Sequence, residues 1–130
     1  KSGGTSIEDM EFARQNVERF ETFDAFATLG LAQEPTILNY VHFKPQAYFL
    51  ADPRNGHIAV DFLGRFESLV EDYTLLSSQL GITKALPTLN KGARPDRAVT
   101  PEAVRIIERV YDTDYALFGY SKVAESDGMF

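Results

Sequence analysis

Apolar residues at helical spacing dominate this chain, and they limit its fold more than any other feature. Phe66, Leu69, Val70, Tyr73, Leu76 and Leu80 recur three or four apart and Gly81 ends the run, which predicts a helix from Arg65 to Leu80. Thr100 is placed to cap another helix, with Pro101 at its first position and Glu102 favoured by the helix dipole. The inward stripe of that helix runs through Val104, Ile107, Val110 and Tyr111 to Leu117 or Phe118. Thr22 heads a short helix carrying Phe23, Phe26 and Leu29 and ended by Gly30. Ile7 to about Phe20 forms a further one, with an imperfect stripe of Met10, Phe12, Ala13 and Val17. Strand signals are local. Asn55-Gly56 is a strong hairpin turn, and it joins "AYFL" to "HIAVDFL", read as two strands.

Composition sets outer limits on function. A chain of 130 residues suits one domain with a real core. With 44% hydrophobic and 25% charged residues it is too apolar to be disordered. A formal charge of −6 offers no broad cationic surface, so nucleic acid is a poor partner. A small anion remains open to it, because clustered backbone N–H groups, Lys and Arg can hold one on an acidic protein. Cysteine is absent, which excludes disulfides and thiolate metal sites and leans toward a reducing compartment. No apolar run nears the roughly 20 residues that span a bilayer, and no signal peptide is visible.

Three stretches carry a family resemblance. They are Asp61-Phe62-Leu63-Gly64-Arg65-Phe66-Glu67, then Asp72, then Asp114-Tyr115-Ala116-Leu117-Phe118-Gly119-Tyr120, set within a match from about His42 to Tyr120. In this order and spacing the chain resembles the C-terminal half of a sulfotransferase family related to the Golgi carbohydrate sulfotransferases, with many bacterial members. The resemblance implies an α/β, P-loop-like, helix-rich fold around a central parallel sheet. It also implies transfer of a sulfuryl group from 3′-phosphoadenosine 5′-phosphosulfate (PAPS) to a hydroxyl, with a carbohydrate as the candidate acceptor. No metal is required by that chemistry. A bacterial-type member would be cytoplasmic, and a eukaryotic one would sit in the Golgi lumen.

The opening gains meaning from this match. Lys1-Ser2-Gly3-Gly4-Thr5-Ser6 looks like the family's donor loop, with Ser2 where threonine is usual. Glycines let backbone N–H groups converge on phosphate oxygens, and a following helix N-terminus favours negative charge. Lys1 is then the residue that stabilises charge on the bridging oxygen as the sulfuryl group leaves. The loop is not a Walker A motif, since no Gly-Lys-Ser/Thr follows the glycines. Read alone, the same residues suit a flexible Ser/Gly linker. Arg14-Gln15-Asn16-Val17-Glu18-Arg19-Phe20 looks like the family's 3′-phosphate motif, with Asn16 replacing proline and Thr22 where a serine belongs. Arg14 suits a phosphate dianion through bidentate bonds. Ordinary surface arginines on an amphipathic helix would look the same.

The two matches crowd each other. Only Ile7–Ala13 lies between Ser6 and Arg14, whereas the βαβ passage between two such sites needs about 30 residues. The expectation is an incomplete chain, with a backbone break between Ser6 and Thr22 and part of the central sheet missing. An unbroken backbone would leave at most one phosphate site standing and would favour a non-catalytic helical module. Another P-loop transferase, such as a kinase, is the remaining alternative.

Other polar residues are weaker candidates. His42 is the visible choice for a general base, although a histidine among aromatics is more often structural. His57, behind the Asn-Gly turn, is expected to be exposed. Asp61, Arg65 and Glu67 read as a charge-satisfied buried network, and Asp114 as another structural carboxylate. Lys91, Arg94 and Arg97 cluster on the loop "LPTLNKGARPDR". In the related enzymes a loop at this point closes over the nucleotide, which implies Lys91 as a donor contact.

Overall fold

The computed structural model describes residues 6–87 and 99–123, and the chain divides into two units. One unit comprises Lys1–Leu50 with Arg97–Phe130, and the other Ala51–Asp96.

In the first unit, α1 (Ile7–Asn16) starts at Ser6, whose hydroxyl accepts from the Asp9 amide at 3.0 Å. Thr22 caps α2 (Phe23–Ala25) by accepting from the Ala25 amide, as its position predicts. The chain then widens into a π-helical turn, Phe26–Leu31. Gly30 lies inside that turn rather than ending a helix. A Cβ on it would stand 3.1 Å from Phe26 Cδ2, 3.2 Å from Ile37 Cδ1 and 3.2 Å from Phe20 Cε2. The glycine is there because three core side chains close over it. Phe26, Leu31 and Ile37 form this core, with Phe12, Val17, Phe20, Phe43 and Tyr111 packed around them. α3 (Pro35–Leu38) supplies Ile37, which is fully buried.

The segment "AYFL" corrects the strand expectation: it is α4 (Ala47–Leu50). The reason is remote in sequence. Asp114 accepts from the Gln46 and Ala47 amides at 2.7 Å each and so satisfies the first free N–H groups of the helix. Asp114 is thus the structural carboxylate it was expected to be. α6 (Pro101–Val110) begins as predicted, with the Thr100 hydroxyl accepting from the Ala103 amide. Thr100 is itself tied to Asp24 through its N–H at 3.0 Å and its hydroxyl at 2.8 Å. α6 buries Ala103 and Glu108, leaving Val104, Ile107 and Val110 only partly covered, and α7 (Asp112–Phe118) buries Phe118. Gly119, at φ 68°, closes α7 in the left-handed conformation glycine tolerates best.

In the second unit, the predicted hairpin is reduced to a single antiparallel bridge, Ala51 to Ile58. Its turn is real: Gly56 has φ 74° and the Asp52 amide donates to the His57 carbonyl at 2.8 Å. Two strands alone are marginal in water. Among the described residues there is no β-strand, so the parallel sheet implied by the resemblance is not seen in them. A 3₁₀ turn (Phe66–Ser68) leads into α5 (Leu69–Leu80), which Gly81 ends at φ 67°. Asp61, Arg65 and Glu67 are exposed rather than buried. Asp72 does the organising there, accepting from the Arg65 amide at 2.7 Å and the Ser68 hydroxyl at 2.8 Å. Those two donors hold its carboxyl below the ordinary range.

Candidate functional site

The expected break between Ser6 and Thr22 is absent. α1 follows Ser6 directly, the Val17 amide bonds the Ala13 carbonyl at 2.8 Å, and the Phe20 amide bonds Val17 at 3.1 Å. Ser6 and Arg14 therefore sit toward opposite ends of one helix, about 12 Å apart along its axis. Arg14 is exposed in the last turn. The neighbouring Arg19 is ion-paired with Glu34 and lies over the Phe20 ring, 4.8 Å from its centroid. Thr22 uses its hydroxyl as the cap of α2.

What the structure does bring together is Ser6 and His42, through a residue the sequence reading passed over. Asp9 lies one turn into α1, where its amide is held by Ser6. Its Oδ1 accepts from the Tyr40 hydroxyl at 2.5 Å and pairs with His42 Nε2 at 2.9 Å. The Tyr40 hydroxyl foremost, then the Ser6 hydroxyl, and also His42 hold the Asp9 carboxyl down at about 2, against the opposing effect of partial burial. The same bond to Asp9, with burial and the Asp9 and Glu8 charges, pushes the Tyr40 phenol up to about 12. Asp9 is therefore an acceptor only, so His42 Nε2 is the donor in their bond.

Local structure explains the cluster. Phe12 follows Asp9 by three residues on the same helix face. Its ring stacks on Tyr40 with centroids 3.5 Å apart and planes within 7°. Tyr40 is fixed in the turn after α3, where its carbonyl accepts from the Phe43 and Lys44 amides. Tyr40 and His42 meet edge to face at 5.5 Å. The imidazole is 59% exposed while the Asp9 carboxylate is only 27% exposed. The ring is thus anchored on its covered side and open on the other. Ser6-Ile7-Glu8-Asp9 does carry a signal that would have found Asp9: a hydroxyl cap followed three residues later by an acid.

Lys1, Ser2, Gly3, Gly4, Thr5 and Lys91, together with Arg94 and Arg97, lie outside the described residues. His57 is exposed, as its turn predicts, with its amide held by Asn55 Oδ1 at 2.9 Å.

The model of the sulfotransferase family matches residues 5–121, a span that includes Ser6, Asp9, Tyr40 and His42 as well as the closing Asp114–Tyr120 stretch. The chain belongs to the sulfotransferase family. No curated protein and no solved structure matches it. Membership makes sulfuryl transfer the reaction class and a transferase the kind of enzyme. It also carries a P-loop-like fold, of which the described residues supply helices. Among them no helix is long and apolar enough to cross a membrane.

Proposed function

We propose that this sulfotransferase moves a sulfuryl group from PAPS to a hydroxyl of an acceptor, with a carbohydrate as the acceptor class. PAPS is a substrate in this scheme, and the transfer needs no metal. Lys1, Ser2, Gly3, Gly4, Thr5 and Ser6 receive the phosphosulfate end, with Lys1 neutralising the leaving oxygen. The observation that supports this assignment is the start of α1 directly behind the loop, at a hydroxyl cap. The remaining free N–H groups and the helix dipole favour an anion there, against the charges of Glu8 and Asp9 in the same turn. His42 is the base for the acceptor hydroxyl.

Because the backbone from Ser6 to Thr22 is unbroken, only the loop site is kept in this scheme, and Arg14, in the last turn of α1, is not assigned to the 3′-phosphate. Thr22, whose hydroxyl caps α2, is likewise left out of it. Lys91 adds a contact from its loop. Bacterial-type placement in the cytoplasm fits the absence of cysteine.

One observation favours a second reading. The unbroken helix between Ser6 and Arg14 leaves no room for the strand that separates the two phosphate motifs elsewhere in the family. A non-catalytic helical module that keeps the family's closing Asp114–Tyr120 packing would look like this. Thermal shift separates the two. Excess 3′-phosphoadenosine 5′-phosphate, at a hundredfold over its dissociation constant, stabilises a binding protein by about 2.7 kcal/mol. A donor site predicts that rise, lost in Lys1→Ala. No rise at millimolar nucleotide would leave the non-catalytic reading standing.

A further inference from the structure

We propose that Asn55-Gly56 is a site of spontaneous covalent modification, where Asn55 closes onto the Gly56 nitrogen as a succinimide and reopens as isoaspartate. Neither the donor nor the acceptor reading above bears on this site, which lies wholly within the second unit.

The nucleophile is uncovered. A backbone nitrogen reaches the preceding side chain only if its own residue leaves room, and glycine has no Cβ to block the approach. A Cβ built on Gly56 would meet nothing within 4 Å. Asn55, Gly56 and His57 are all exposed, so water reaches the reacting atoms. The electrophile is already held. Asn55 Oδ1 accepts from the His57 amide at 2.9 Å, which folds the side-chain amide back over the Gly56 peptide. That oxygen gains negative charge when Cγ is attacked, and the His57 N–H is in place to stabilise it.

The other asparagines lack these features. Asn16, Asn39 and Asn90 precede Val17, Tyr40 and Lys91, each of which carries a Cβ, and Val17 is branched there. Asn16 is also tied through Nδ2 to the Phe12 carbonyl at 3.1 Å. One contact at Asn55-Gly56 opposes the reaction: the Gly56 N–H donates to the Asp52 carbonyl at 2.8 Å and must leave that bond before its nitrogen attacks. Among the described residues the turn is closed by a single antiparallel bridge, Ala51 to Ile58, so the opening required is local.

The step balances with water alone. The Gly56 nitrogen bonds to Asn55 Cγ while the Cγ–Nδ2 bond breaks, and Nδ2 leaves as ammonia with the proton the Gly56 nitrogen gives up. Water then adds to one ring carbonyl. Opening at Cγ yields aspartate, and opening at the backbone carbonyl yields isoaspartate, whose main chain runs through Cβ and Cγ. Nothing is oxidised or reduced. The longer backbone of isoaspartate disrupts the turn, and with it the Asp52 amide bond to the His57 carbonyl, now 2.8 Å.

Incubation of the whole chain in mildly alkaline buffer, followed by tryptic mapping, tests this. Cleavage after Arg54 and Arg65 isolates Asn55 in one peptide. That peptide should divide with time into amide, aspartate and isoaspartate forms, the last identified by labelling with protein-L-isoaspartate methyltransferase. Conversion should quicken as pH rises, because the attacking nitrogen gives up a proton. Gly56→Ala should slow it at least about tenfold, since a Cβ then crowds the nitrogen. Asn55→Gln should abolish it while keeping the left-handed glycine, which separates the chemistry from any loss of the turn. Hydrogen exchange at the Asp52 amide should be faster in the isoaspartate product than in unreacted protein. Asn16, Asn39 or Asn90 converting as fast as Asn55 would overturn the proposal, and so would an Asn55 that stays intact throughout. Aspartate formed without isoaspartate would mean direct hydrolysis and overturn the succinimide route.

Discussion

α5 and α6 are announced in the sequence with equal clarity, yet they are held by different means. α6 belongs to a unit whose interior contains Phe26, Leu31 and Ile37, with Ile37 fully buried, and it buries Ala103 and Glu108 of its own. α5 has a comparable apolar pattern but buries only Ser77, while Val70 is 65% and Leu80 64% exposed. Its order comes from its ends and its polar bonds. Asp72 ties down the preceding turn, Ser77 bonds the Tyr73 carbonyl, Tyr73 holds the Lys84 carbonyl at 2.7 Å, and Gly81 closes the last turn. The lesson is that periodicity specifies a helix, whereas its stability depends on what the rest of the chain places against it.

Truncating the core gives the largest expected effect. Ile37→Ala should destabilise the first unit by about 2–5 kcal/mol, since it removes a fully buried branched side chain and leaves a cavity. Urea denaturation followed by the near-ultraviolet signal of the surrounding aromatics would read it. A loss below about 1 kcal/mol would mean that the Phe26–Leu31–Ile37 core does not organise this unit. Gly30→Ala comes next, at about 1–3 kcal/mol, because the added methyl meets Phe26, Ile37 and Phe20 within 3.2 Å. The counterpart in the second unit, Gly81→Ala, meets no neighbour and costs only the left-handed backbone, about 1–2 kcal/mol.

Acid distinguishes the units in another way. Asp9 in the first unit and Asp72 in the second both have carboxyls held below the ordinary value of 3.8, Asp9 at about 2. A lowered folded-state pKa means that the stabilisation is present above the unfolded value and is lost as pH falls through the folded one. Thermal midpoints should therefore drop as pH is lowered from about 4 toward 2. Asp9→Asn should flatten the part of that slope read through the Phe12–Tyr40 stack, and Asp72→Asn the part read through α5 helicity. If Asp9→Asn leaves the acid slope unchanged, the Ser6–Asp9–Tyr40–His42 cluster does not form in solution.

Much of this was legible in the sequence, and the misses share a cause. The helix starts at Thr22 and Thr100, the stop at Gly81 and the Gly56 turn follow from local rules, and the structure bears these out. "AYFL" was misread because its fate is set by Asp114, far along the chain. Gly30 was misread because its neighbours, not its φ, require a glycine. Asp9 had a local signal as the acid after a hydroxyl cap, but its partners, Tyr40 and His42, come from the turn after α3. The crowding of the two phosphate motifs was visible at once, whereas its resolution as one unbroken helix was not.

The smallest effect tests the comparison most directly. Val70 on α5 is an apolar residue at a position that the helical pattern marks as inward, yet most of its side chain meets solvent. Burial scales with area removed from water, at about 25 cal/mol per Å², so a side chain this open has little to lose. Val70→Ala should change stability by no more than about 0.5 kcal/mol, and alanine's better helix propensity would offset part of that. Circular dichroism melts on the two variants, Val70→Ala and Ile37→Ala, put the contrast on one scale. A Val70→Ala cost approaching that of Ile37→Ala would show that α5 has a buried face after all, and that exposure is the wrong measure of how this helix is held.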